Sequence, residues 1–239
     1  MNVLRPGDTC WRKARASRAA FLVDNEAYYT AVFEALRNAR HSVFLLGWGF
    51  DPRARLFPDG FDGPDDPDEV GRILVAVSRA RPDLEIRLLI WKSALPIAAS
   101  QEFFPHRARS WFKDTNVQFV LDDQVPFGAC HHQKVLVIDD TLAFCGGGDI
   151  SVDRWDTPGH LEHDPRRIMP DQHHHAPRHE VMMMVDGRSR NAEPAAESYW
   201  AVMPPSTTIS EPVMKAASSE ARKATAAATS ASRPKRPSG

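Results

Sequence analysis

The 239-residue chain is poor in cysteine: Cys10, Cys130 and Cys145 are odd in number, widely separated, and match neither a C-x-x-C pair nor a zinc-type spacing. That excludes a disulfide framework and a cysteine-built metal site, and it fits a reducing compartment. An excess of charge of one sign is also missing. With 30 Lys and Arg against 31 Asp and Glu the formal net charge is -1, so recognition of a polyanion has to be local. No apolar run approaches the length of a membrane span, and the polar, basic N-terminus lacks the roughly 7–15-residue apolar stretch of a secretory signal. The expectation is a cytoplasmic protein without signal peptide or transmembrane segment. There is no internal repeat.

What the chain does have is 42% hydrophobic residues, enough for one sizeable core. Residues 26–39 place Tyr29, Val32, Phe33 and Leu36 on one helical face behind Asp24 and Asn25 as candidate caps. The apolar stretch 41–50 then reads as a buried strand, and 51–68, rich in Pro, Gly and Asp, as a loop. A second helix carries Val70, Ile73, Leu74 and Val77, followed by a strand over 84–91, a helix around 103–113 and a strand over 116–121. Two closely spaced strands, "KVLVID" and "LAFC", and a later one at 180–185 complete an α/β pattern whose last strands add as a hairpin. From Ala216 to Gly239, 15 of 24 residues are Ala, Ser or Thr, with a small basic cluster, "RPKRP", near the end, a composition that cannot bury a core.

The chemistry concentrates in "HHQKVLVIDD", residues 131–140. On a strand His132 and Lys134 share a face, and an imidazole beside an ammonium suits an anionic substrate. Neutral imidazole is a nucleophile, and the lysine can neutralise phosphate oxygens as charge builds in a transition state. His131 points the other way and reads as structural. Asp139, five residues after Lys134, has an odd offset and faces away, so it reads as mainly structural, capping the turn at 139–141 or pairing with a basic group. In "FCGGGDIS" the glycines allow close approach of backbone to a ligand, with Asp149 beside them.

His132-x-Lys134-x-x-x-x-Asp139, then Gly146-Gly147-x-Asp149 and "DRWD" at 153–156, resembles the N-terminal catalytic half of the phospholipase D superfamily, whose signature is H-x-K-x(4)-D. The resemblance extends over roughly positions 8–187, through "CWR", residues 22–50 and "RHEVMMMVDG". It implies an α/β/α sandwich over 1–187, one half of the usual pseudo-dimer, with a divergent, disordered tail over 188–239. It makes His132, Lys134 and Asp139 the catalytic motif, gives Gly146, Gly147 and Asp149 a phosphate pocket, and gives Glu180 the place of a histidine-orienting carboxylate. No metal and no cofactor are required. The implied reaction is cleavage of a phospholipid head-group phosphodiester through a phosphohistidine, with transient contact at a membrane surface and nucleic acid disfavoured as a substrate.

The superfamily's usual chain carries a second H-x-K-x(4)-D, and this one does not. Either two identical chains dimerise to bring two copies of His132 together, or the chain is a truncated product that lost its partner half. Truncation is favoured, because the resemblance is to two-motif proteins and stops abruptly after Gly187. The alternatives in function are a homodimeric nuclease-like phosphodiesterase and an inactive lipid- or phosphate-binding remnant. The histidine-rich "DQHHHAPRHE" at 171–180 matches no common metal spacing, and the acidic loop 57–69 lacks the ligand pattern of an EF-hand. Trp48 and Trp91 read as core aromatics at strand ends.

Overall fold

The computed structural model describes residues 3–10, 13–14, 16–59, 68–92, 105–126 and 129–187, with the backbone alone for 105–107. The 188–239 tail, Trp11, Arg12, Gly128 and most of the acidic loop lie outside the described residues.

Seven strands form one mixed sheet: β1 Arg18–Val23, β2 Ser42–Gly47, β3 Glu85–Trp91, β4 Val117–Asp122, β5 Val135–Ile138, β6 Leu142–Gly146 and β7 Val181–Asp186, in the order β1-β7-β6-β5-β2-β3-β4. The helices are α1 Asp24–Asn38, α2 Val70–Ala80 and α3 Pro105–Trp111. Strands β2, β3 and β4 are parallel, as helical crossovers require. Beyond β2 the sheet turns antiparallel through β5, β6, β7 and β1. The α/β pattern in the sequence is thus the fold of the chain.

The helical spacing of Tyr29, Val32, Phe33 and Leu36 buries all four, as does that of Val70, Ile73, Leu74 and Val77 on α2. They join Val43, Leu45, Ile86, Leu88, Ile90, Leu136, Ile138 and Phe144 in one cluster, to which Ala108 and Phe112 add from the α3 region. Among the described residues, all three helices therefore pack on the same sheet face. Each such fully buried aliphatic contributes about 1.5–3 kcal/mol.

Two local expectations change. Asp24 and Asn25 do not cap α1 from outside; the N-cap is Val23, with no side-chain cap bond, and both residues are buried within the first turn. Strand β1 is an addition that the sequence did not signal. Its six residues, "RAAFLV", alternate in exposure and pair with β7 from Arg18↔Asp186 to Val23↔Val181, and Phe21 is left 73% exposed.

Candidate active site

The topology explains the location of the site. In parallel α/β sheets, loops at the carboxyl ends of the strands gather at one edge, and here β2, β3 and β4 end there in Gly47, Trp91 and Asp122. Because β5 runs antiparallel to β2, with Leu46↔Val135 as the last pair, the residues preceding β5 arrive at the same edge. A motif at the start of an antiparallel strand thus meets the ends of parallel ones.

The strand itself begins only at Val135, so 131–134 are irregular and the expected alternation is broken. His131 is buried and turned to Asp122, with Nε2 3.1 Å from Oδ2. His132 is exposed, its ring 5.7 Å from that of Trp48. Lys134 is buried; its Nζ donates to the His132 carbonyl at 3.3 Å, lies 3.0 Å from Asp149 Oδ2, and sits 5.5 Å from the Trp48 ring. Trp48 stacks on Trp91 at 5.9 Å. The two tryptophans thus wall the site from beside β2 and β3. Sequence alone read both as core; Trp91 is indeed buried, whereas Trp48 is half-buried with its ring beside His132, a neighbour that one aromatic at a strand end does not signal.

Burial, and then the Lys134 charge, lower the pKa of His132 below the ordinary histidine value, while Asp149 opposes the shift. The imidazole is therefore neutral, with a free lone pair, at neutral pH.

Asp149 is almost fully buried and accepts from the Gly49 N–H at 3.0 Å as well as facing Lys134. A carboxylate so placed is the counter-ion of the lysine, fixing its ammonium, rather than a direct ligand for an anion. The glycines also differ from expectation. The Gly146 N–H donates to the Lys134 carbonyl at 3.3 Å and the Gly147 N–H to the Val181 carbonyl at 3.1 Å, so neither amide is aimed at a phosphate. Gly146 is needed because β6 and β7 approach closely: a Cβ there would lie 2.3 Å from the Val181 oxygen.

Asp139 sits at the opposite end of β5. Its carboxylate accepts from the N–H groups of Arg40 (2.8 Å), His41 (2.6 Å) and Ser42 (2.9 Å), just where the chain enters β2. Glu180 accepts from Asn25 Nδ2 at 2.9 Å and Arg154 Nη1 at 3.0 Å, contacts that hold α1 to the segment after Asp149. Its pKa is raised, chiefly by burial.

A second cluster, of His and Asp, lies where α1 begins. The Asp24 carboxylate is 2.8 Å from His179 Nδ1 through Oδ1 and 3.3 Å from His160 Nε2 through Oδ2, and His160 Nδ1 is 3.1 Å from Asp156 Oδ2. One donor atom from each of Asp24, His160 and His179 falls within 4.8 Å of the others, a set able to hold a divalent cation. The consecutive histidines do not join it: His173 pairs with Asp171, and His175 Nδ1 faces the Ala176 carbonyl.

The fold and site define a class: a mixed α/β sheet presenting a neutral histidine and a buried, carboxylate-paired lysine beside the switch from parallel to antiparallel strands. Phospholipase D B of Dictyostelium discoideum is 26% identical over 140 residues, 57% of this chain and 11% of that protein. The phospholipase D of Phytophthora infestans is 29% identical over 170 residues, covering 64% and 9%, and phospholipase D zeta 1 of Arabidopsis thaliana 27% over 168 residues, covering 68% and 15%. The chain thus spans 9% to 15% of the length of these relatives. Among solved structures, the phospholipase D family member Nuc from Salmonella typhimurium aligns over 71% of this chain and 84% of its own, with 13% identity and a TM-score of 0.43. No family model matches the chain. The chain is similar in sequence to phospholipases D over 57% to 68% of its own length.

Proposed function

We propose that this chain provides one half-site of a phospholipase D-type phosphodiesterase acting on a phospholipid head-group ester. The observation that carries the reading is the joining of a neutral, exposed His132 to a buried Lys134 whose ammonium is held by Asp149. The names of the curated relatives supply the substrate class.

In the reaction, an imidazole nitrogen of His132 attacks phosphorus as the bond to the head-group oxygen breaks. Lys134 offsets charge on the non-bridging oxygens. The departing alkoxide takes a proton from a general acid, and water then displaces the imidazole, breaking the P–N bond and releasing a phosphate monoester. The chain carries one H-x-K-x(4)-D, so the acid comes from a second His132, in a homodimer, or from a separate partner half. Loss of general acid catalysis costs about 100- to 10,000-fold.

Solution mass and turnover of a phosphatidylcholine analogue, measured on the same chromatographic peak, test this reading. A monomer is expected to be nearly inactive and a dimer active, with His132→Ala abolishing turnover. Full turnover by a demonstrable monomer, lost in His132→Ala, overturns the half-site reading. Metal-free cleavage of DNA in place of lipid would identify a nuclease-like member instead.

A further inference from the structure

We infer that His131, held by Asp122, is a positioning residue that fixes the segment carrying His132 at the site. The inference rests on His132 as the reacting group.

Between the end of β4 at Asp122 and the start of β5 at Val135, the described residues form no strand, so no ladder of hydrogen bonds holds His132 in place. His132 is exposed, and a side chain on an irregular surface segment is not ordered by itself. Its neighbour is ordered. His131 is 7% exposed and Asp122 2%, with Nε2 and Oδ2 3.1 Å apart.

Asp122 is itself anchored at both ends. Its Oδ1 accepts the Gln124 N–H at 2.9 Å, and its carbonyl accepts the Lys92 N–H at 2.8 Å, which ties the residue to the chain leaving β3. The carboxylate is therefore a fixed point of the sheet edge. Through His131 that fixed point lies one residue from the reacting imidazole. Lys134 donating to the His132 carbonyl secures the other flank. A reacting group must be held to a fraction of an ångström, and a displacement of about 1 Å costs on the order of 100-fold in rate.

The test compares the full chain with His131→Ala, His131→Gln and Asp122→Asn. Two quantities are followed: the titration of His132 by NMR, assigned against His132→Ala, and kcat and KM on a phosphatidylcholine analogue. The charged groups acting on His132 are Lys134, Asp149 and Arg154, with burial dominant. A loosened segment exposes the ring and moves it from Lys134, so His131→Ala and Asp122→Asn are expected to raise its titration midpoint towards the ordinary value of about 6.5. Removing the Asp122 charge would by itself move the midpoint down, so the sign separates positioning from direct electrostatics. In the active form, kcat is expected to fall about 10- to 100-fold with KM within about twofold. His131→Gln, which keeps a donor, recovers part of the loss.

Unchanged titration and unchanged kcat in folded Asp122→Asn and His131→Gln overturn the inference, and these two conservative variants decide if His131→Ala does not fold. If the wild-type chain turns over nothing in any oligomeric form, the catalytic reading fails, and the His132 titration alone decides whether His131 positions it.

Discussion

Lys134 Nζ and Asp149 Oδ2 lie 3.0 Å apart with side chains 7% and 2% exposed, so the ammonium at the site is sealed against its counter-ion. Removing one partner of a buried pair leaves an uncompensated charge, which costs about 3–5 kcal/mol. Asp149→Ala is expected to lower the unfolding free energy by that amount in denaturant titration. The double variant Lys134→Met with Asp149→Leu should be less destabilised than Asp149→Ala, since no charge is stranded.

The lowered pKa of His132 sets a pH dependence. Because the neutral form is retained below the ordinary value of about 6.5, phosphodiester cleavage should persist as the pH falls past that value and be lost only at the lower pKa of the folded protein. Lys134→Met removes one of the causes, so the His132 titration of that variant, read by NMR because turnover is lost with the lysine, moves up towards about 6.5. A kcat/KM profile against pH, with the His132 titration alongside, checks both.

The glycine stretch gives a contrast between adjacent residues. A Cβ at Gly146 would fall 2.3 Å from the Val181 oxygen and 2.7 Å from Met182 Sδ, whereas at Gly147 the nearest atoms are 3.9 Å away. Gly146→Ala should destabilise by about 1–3 kcal/mol, since backbone cannot yield as a flexible side chain does. Gly147→Ala should remain close to wild type in thermal melting.

Asp139 stands at φ 53° and accepts three backbone N–H groups from the residues entering β2. Asn tolerates that backbone region and keeps one acceptor, whereas Ala does neither. Asp139→Ala should cost about 1–3 kcal/mol in denaturant unfolding and Asp139→Asn less, with the His132 titration unmoved in both.

The helices and the buried strands were legible because their periodicity is local. The four apolar positions of α1 and the four of α2 each state a face without reference to the rest of the chain. His132 and Lys134 were legible as a motif by their spacing, although the strand alternation expected to place them on one face is broken, since β5 begins only at Val135. Strand β1 was not, since "RAAFLV" is short and becomes a strand only by pairing with β7 some 160 residues later. The partners of the motif were equally hidden. Asp122 beside His131, Trp48 beside His132, and Asp24 beside His160 and His179 are meetings made by topology, between residues whose separation in sequence carries no period. The glycines misled because their composition suits a phosphate loop, yet the closeness of β6 and β7 accounts for Gly146 on its own.

The placement of Asp139 gives the four-residue spacer of H-x-K-x(4)-D a meaning as a ruler. β5 occupies that spacer, Val135 to Ile138, and both of its ends are tied to landmarks around β2: Asp139 to the amides entering it, Lys134 to the carboxylate that also binds Gly49 just beyond it. A strand paired one residue out of step would turn Lys134 to the other face of the sheet, away from Asp149. The two ends cannot both be satisfied in that misaligned state. The spacer thus measures one strand: in the observed register the same count of residues that brings Asp139 to its three amides brings Lys134 to its counter-ion.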